Sequence, residues 1–315
     1  MGLLPMDADL LPPSDDRIFK LILTSPESKP VLIDLISSIL GRKVVDVAVR
    51  NNELPPRDVE EKAERFDVNC RVDDGTQVDC EMQASHIQEY ADGRHENLKC
   101  KGVYYLCDLH ASQSAKGVRR YDKLAQTWQV TFCAYTVFPE RREYLNSFSL
   151  RHDRDGTLLT DAVHMVFVEL TKLQEILKKS VGEMTDLEKW ALFFKYASEV
   201  SCRKTINEII ASKEELQMAG ELLMSVSKDE RERAVFRSRR MYQTDMLSNL
   251  ATAEDRGRRE GRREGRREGM IEGLRQAAVG MLEYGRPPEE IERITGLSRK
   301  EIEALRAAPD GAATR

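Results

Sequence analysis

The chain has 315 residues, with 49 Lys and Arg set against 54 Asp and Glu, for a formal net charge of −5. That balance excludes a strongly basic coat that would hold nucleic acid by charge alone, so any such contact must be local or metal-assisted. The length leaves room for a sizeable core and about two domains.

Residues 1–13 read as a loose leader. Ser14, Asp15 or Asp16 caps a first helix carrying Ile18, Phe19, Ile22 and Leu23. Pro26 interrupts it. A second helical run places Val31, Leu32, Leu35, Ile36, Ile39 and Leu40 on one stripe and stops at Gly41. Val44 to Val49 alternates as a strand, and Pro55-Pro56 forces a loop.

Two strands follow. Phe66, Val68, Cys70 and Val72 alternate with Arg65, Asp67, Asn69 and Arg71; Val78, Cys80 and Met82 alternate with Gln77, Asp79, Glu81 and Gln83. Period-two alternation gives each strand one packing face and one face toward solvent or a site. Asp73-Asp74-Gly75 lies between them as a three-residue hairpin loop, with Gly in the left-handed position. In that register Val72 pairs with Thr76, and Asp67 lies opposite Glu81, with Cβ atoms roughly 4.5–5.5 Å apart. A two-residue Asp-Gly loop would put Asp67 opposite Met82 instead, on the wrong face. Two facing carboxylates repel unless a cation sits between them. An oxygen-lined site with open positions suits Mg²⁺, or Mn²⁺ in its place. Gln83 points to the same side, where its amide can orient a water or a phosphate oxygen. The plainer alternative is a polar, solvated outer face of a hairpin.

His86 to about His110 reads as a helix with Leu98, Gly102, Tyr105 and Leu109 on one side. Trp128 to Phe138 and Val163 to Val168 read as further strands, so the order helix, strand, hairpin, helix, strand gives a mixed α/β layer. From 171 to 254 the chain is helical and charged, with Trp190, Leu192, Phe193, Phe194 and Tyr196 as its apolar centre. Residues 255–273 carry a Gly/Arg/Glu repeat with glycines at 257, 261, 265, 269 and 273. Each Gly costs a helix roughly 1 kcal/mol against Ala, and a period of four winds the glycine stripe around any helix it forms. The repeat reads as a basic arm on phosphates or, because Glu recurs in every unit, as a solvated tether or weak self-association stalk. Residues 274–308 fold again: a short helix with Ile291 and Ile294, a turn at Gly296, and a capping box Ser298-Arg299-Lys300-Glu301 opening another helix. That is the outline of a helix-turn-helix, with Arg299 and Lys300 where such units meet DNA; the alternative is a small helical cap or dimer contact.

No apolar run approaches the roughly 18 residues of a membrane span. The N-terminus carries acids and prolines where a signal peptide would carry lysines and an apolar stretch. Six scattered cysteines without a CxxC pair point to a reducing, cytoplasmic setting and away from a zinc ribbon. Cys100, Cys107 and His110 have no obvious fourth ligand, and a core helix carrying two cysteines is the simpler reading.

An acid in one strand followed by Glu-x-Lys or Glu-x-Gln in the next resembles the PD-(D/E)XK nuclease core. Asp16-Arg17-Ile18-Phe19-Lys20, Lys62, Phe66-Asp67-Val68, Glu81-Met82-Gln83 and a later Gly-Leu-Ser-x-x-Glu-Ile tail are similar, in that order, to the recombination-promoting nuclease and transposase branch of that superfamily. The resemblance covers roughly residues 14–170 and the tail. It implies a restriction-endonuclease-like mixed sheet flanked by helices, with a helical C-terminal extension. It also implies Mg²⁺-dependent cutting of DNA linked to recombination or mobile elements, and a metal held by Asp67, Glu81 and the Met82 carbonyl. Gln83 stands where many relatives have Lys, and an amide carries no charge, so its role is positional. Asp16 is either an acid behind the metal's own ligands, reaching the metal or a neighbouring base, or a helix cap. Lys62 is either a phosphate contact or a charge guarding a strand edge. Two other readings stay open. One is a nuclease-fold module that binds DNA or a protein without cutting. The other is strand transfer, for which no Asp-Asp-Glu triad is evident. Self-association through the C-terminal part is a further expectation.

Overall fold

A computed structural model describes residues 3–50, 53–54, 64–65, 67–84, 96–113 and 120–307. It divides into two units, Met1–Arg240 and Met241–Arg315. In chain order the first unit holds α1 (Asp16–Thr24), α2 (Lys29–Leu40), β1 (Val47–Val49), β2 (Glu53–Leu54), β3 (Glu64–Arg65), β4 (Val68–Val72), β5 (Gln77–Gln83) and α3 (Glu96–Ala111). After these come β6 (Thr127–Cys133), β7 (Leu145–Ser149), β8 (Val163–Glu169), α4 (Asp186–Tyr196), α5 (Arg203–Ala211) and α6 (Glu214–Lys228). The start of α7 (Glu230–Glu283) completes it.

Six strands form one mixed sheet in the order β1-β4-β5-β6-β8-β7, and β2 and β3 pair separately. β1, β4 and β5 are antiparallel, β5, β6 and β8 are parallel, and β7 closes the edge antiparallel to β8. The parallel step from β5 to β6 needs a crossover, and α3 lies within it.

Local chemistry sets the helix ends. Of the three candidate caps for α1, it is Asp15 whose carboxylate accepts the N–H groups of Arg17 and Ile18, at 3.0 and 3.2 Å. α2 ends on Gly41 with φ 64°, the left-handed conformation glycine adopts without strain. Thr185 and Glu188 cap α4 reciprocally.

One face of the sheet is apolar. Val68, Cys70, Val78, Cys80, Met82, Val130 and Phe132 pack there against helices that include α1, α2 and α4. The rings of Phe19, Phe132 and Phe194 meet at 5.1–5.7 Å. Trp190, Leu192, Phe193, Phe194 and Tyr196 are buried there, as the pattern predicts. On the other face lies α3. Leu98 and Leu106 pack with Met165 and Phe167 of β8, and a Cβ on Gly102 would stand 3.5 Å from Met165, so glycine lets the helix lie close.

Several expectations are corrected. The leader is packed rather than loose: Leu4, Leu10 and Leu11 are buried, and the Leu4 backbone exchanges hydrogen bonds with the Asn207 amide at 2.8 and 2.9 Å. β6 ends at Cys133, and Val137 and Phe138 follow in a loop whose N–H groups donate to Glu169 at 2.6 and 3.0 Å. Cys100 and Cys107 lie on the exposed side of α3, not in a core. β7, with the weakly apolar sequence LNSFS, was not expected.

In the second unit the end of α7 packs with α8 (Pro288–Thr295) and α9 (Arg299–Ala307) around Ala278, Ile291, Leu297 and Ile302. Gly296 turns the chain at φ 71°, and Ser298 and Glu301 form the capping box. Ile294 is exposed rather than inward. The five repeat glycines fall within α7, and a Cβ on any of them would meet nothing within 4 Å. Among the described residues no helix is long and apolar enough to cross a membrane.

Candidate active site

The hairpin takes the register derived from its loop. Val72 N–H donates to the Thr76 carbonyl at 2.8 Å, Gly75 has φ 94°, and Val68 pairs with Cys80. One step further along the ladder sets Asp67 against Glu81. There the strand pairing gives way to side chains. Asp67 N–H donates to Glu81 Oε1 at 3.2 Å, and Met82 N–H donates to Asp67 Oδ2 at 2.9 Å. The Glu81 carboxylate therefore holds the Asp67 backbone, and the Asp67 carboxylate holds that of Met82, at the C-terminal end of β5.

The polar face is not solvated, contrary to the plainer reading of the alternation. Gln77, Asp79 and Glu81 are buried, as are Asn69 on β4 and Thr127, Gln129 and Thr131 on β6. α3 shares this face: the Gln77 amide donates to the Leu109 carbonyl at 3.3 Å, and His110 Nδ1 lies 2.9 Å from Thr127 Oγ1. Lys101 of α3 donates to Glu81 Oε2 at 3.0 Å, and its ammonium lies 4.9 Å from the Tyr105 ring centroid. The Gln83 amide donates to that same oxygen at 3.3 Å.

Burial, then the facing charge of Glu81, pushes the Asp67 carboxyl up to about 7. Asp79 is fully buried between Asn69 and Gln129 on the neighbouring strands. Burial, then Glu81, raises its carboxyl well above the usual range. Burial pulls the Lys101 ammonium down, but the charge and hydrogen bond of Glu81 outweigh it, and the net shift is upward. Glu169 makes a useful contrast. It is equally buried, yet it accepts from Val137, Phe138, Asn146 and Lys172 and so serves the loop.

The structure thus brings Asp67, Glu81, Met82 and Gln83 together. Asp16 opens α1 nearby; its charge is among those that raise Asp67, and it accepts from Arg239 of α7 at 2.6 Å. It engages a neighbouring base rather than capping the helix. Lys62 lies outside the described residues. Arg299 and Lys300 belong to the second unit, where Arg299 pairs with Glu289 at 3.0 Å and lies 3.7 Å from Glu303. Sequence reasoning missed Lys101 and the burial of Asp79. Asp79 stood in the same alternation as Glu81; Lys101 is brought to the site by helix packing alone.

Among the described residues no group of three or more His, Cys, Asp and Glu converges as a ready-made metal cage. Mg²⁺ does not need one, since it keeps several waters and binds through one or two carboxylates. A carboxyl raised by a facing carboxylate is relieved by a cation between them, so the Asp67–Glu81 pair fits such an ion.

A mixed sheet flanked by helices, with an acid just ahead of one strand facing Glu-x-Gln on the next, defines a protein of the PD-(D/E)XK nuclease class. Residues 13–253 match the family described as PD-(D/E)XK nuclease family transposase, and the chain belongs to that family. Membership supports a nuclease- or transposase-like function. No curated protein and no solved structure matched the chain.

Proposed function

We propose that the protein is a Mg²⁺-dependent DNA endonuclease, with Mn²⁺ able to substitute, that hydrolyses phosphodiester bonds in recombination or on mobile elements. The observation that carries this is the convergence of Asp67 and Glu81 across β4 and β5, with Asp67 pushed up to about 7. Asp67, Glu81 and the Met82 carbonyl would hold the ion, which supplies Lewis acidity toward phosphate and water. The hydrogen bonds between the two acids and the strand backbone fix their spacing before any ligand arrives. Gln83 orients a water or a phosphate oxygen, because an amide donates and accepts but carries no charge. Asp16, tied to Arg239, adds negative potential behind Asp67.

The test is nicking of supercoiled plasmid by wild type and Asp67→Ala with Mg²⁺ and with chelator. Cutting that requires both the metal and Asp67 supports the reading. Equal nicking by both proteins assigns it to another site. No nicking across several metals and DNA forms favours a nuclease-fold module that binds DNA or protein without cutting. Joining of two DNA ends would instead indicate strand transfer.

A further inference from the structure

We propose that Lys101 is the cationic member of this site: α3 delivers from above the sheet the charge that Gln83 on β5 does not carry, and the ammonium acts on the scissile phosphate. The inference rests on the nuclease reading and adds a residue to it.

The geometry is specific. Lys101 Nζ and Gln83 Nε2 converge on one atom, Glu81 Oε2, at 3.0 and 3.3 Å. The strand position and the helix position therefore address the same point in space, one neutral and one charged. The two ends of the contact differ in access: the Lys101 side chain is 36% exposed and that of Glu81 is 5%. The ammonium thus stands at the mouth of the site while the carboxylate stands inside it. α3 is not free to drift, because Leu98 and Leu106 are buried against the sheet and Gly102 lies close to Met165. Two other bases of this unit are engaged elsewhere: Arg239 with Asp16 at 2.6 Å, and Arg17 with Glu232 at 2.6 Å.

In a metal-free site Lys101 neutralises Glu81. With a divalent cation held at Glu81, the Lys101 ammonium would give up that contact, and its flexible stem could turn it toward the nearest other anion, a phosphoryl oxygen of bound DNA. The bridge then has two consequences. Lys101 competes with the metal when DNA is absent, and it stabilises charge on the phosphate when DNA is present.

The experiment uses the full-length protein as wild type, Lys101→Met, Lys101→Arg and the double variant Lys101→Met with Gln83→Lys. Three quantities are read: single-turnover plasmid cleavage at saturating Mg²⁺, Mn²⁺ affinity of the DNA-free protein by electron paramagnetic resonance, and melting temperature. Lys101→Met is expected to cut roughly 100-fold slower or worse, as on removing one charge-stabilising donor. Its Mn²⁺ affinity is expected to rise, because no ammonium has to leave Glu81. Gln83→Lys in the same chain is expected to restore a large part of the rate by returning the charge from the strand. Cleavage by Lys101→Met within twofold of wild type overturns the inference. So does a loss of cutting accompanied by weaker Mn²⁺ binding, a lower melting temperature in both single variants and no recovery in the double variant; Lys101 is then a structural counterion. Wild type that binds Mn²⁺ but cuts nothing overturns the nuclease reading, and this inference with it. Wild type that cuts while Lys101→Met is unaltered overturns this inference alone.

Discussion

Two stretches of this chain carry a strict period, and they behave in opposite ways. The hairpin of β4 and β5 repeats every two residues, and both of its faces are buried apart from Arg71 and the half-buried Gln83. The arm from 257 to 273 repeats every four residues within α7 and is exposed throughout. In the hairpin the period fixes a register, because a slip of one residue would put Asp79 and Glu81 among Phe132 and Val130. In the arm a slip changes no packing. A periodic sequence specifies geometry only where something covers it.

The largest effect that would test this contrast is on chemistry. Asp67→Ala and Glu81→Ala are each expected to lower Mg²⁺-dependent nicking by at least ~100-fold. Asp67→Ala removes one of two repelling acids, so the melting temperature of the metal-free protein should hold or rise, whereas Glu81→Ala also strips Lys101 and the Asp67 N–H of their acceptor and should melt lower. A cutting-competent Asp67→Ala, or one that melts early, would place the pair among ordinary structural contacts such as those of Glu169.

The next effect is on pH dependence. Folding raises the Asp67 carboxyl from its ordinary value of 3.8 to about 7. Between those values the folded protein holds a proton that the unfolded chain has released, so stability falls as pH rises through this window and is level above it. The shift corresponds to about 4 kcal/mol lost by pH 8 relative to pH 4. Asp79 is shifted in the same direction. Asp74, Asp186 and Glu232 are lowered and run the other way, but they are common to wild type and Asp67→Asn. Melting temperatures of the two metal-free proteins should therefore diverge from pH 5 to pH 8, with wild type falling relative to the variant. Parallel curves would mean that Asp67 is not raised. Mg²⁺ should stabilise wild type more at pH 8 than at pH 5.

These tests bear on residues that were legible to unequal degrees. The Asp67–Glu81 facing was readable because alternation and an Asp-Asp-Gly loop are local, and a loop length sets a register by counting. The helical centre at Trp190 to Tyr196 was readable for the same reason. The burial of Asp79 was not: alternation separates two faces but does not say which are covered, and α3 covers the polar one. Lys101 was not readable either, since it meets Glu81 across 20 residues, through a helix whose placement depends on Gly102 and Met165. The packed leader was missed because its partners, Asn207 and Ser227, lie some two hundred residues away.

A smaller effect sharpens the hairpin side. Gly75 holds φ 94°, and a Cβ there would stand 3.2 Å from the Arg71 guanidinium. Gly75→Val is expected to cost about 2 kcal/mol, read by urea denaturation. Nicking should survive it, because the ladder from Val68 to Arg71 pins the register independently of the loop. Lost nicking at full stability would show that the loop, not the ladder, sets the facing of Asp67 and Glu81.

The smallest effect, of opposite sign, is expected in the arm. Gly261→Ala and Gly265→Ala replace residues whose added Cβ would meet nothing within 4 Å. Each exchange stabilises a helix by roughly 1 kcal/mol, so helical ellipticity should rise and its thermal loss should shift upward. Plasmid nicking should not change, since no residue of the proposed site lies in the arm. The glycine stripe advances around α7 with each repeat, so a partner laid along the helix would meet it over one or two turns only. If the paired alanines lower ellipticity, or if sedimentation shows that they dissolve an oligomer present in wild type, the arm is covered in solution after all. Its period would then be a packing rule like that of the hairpin, and the contrast between the two stretches would fall.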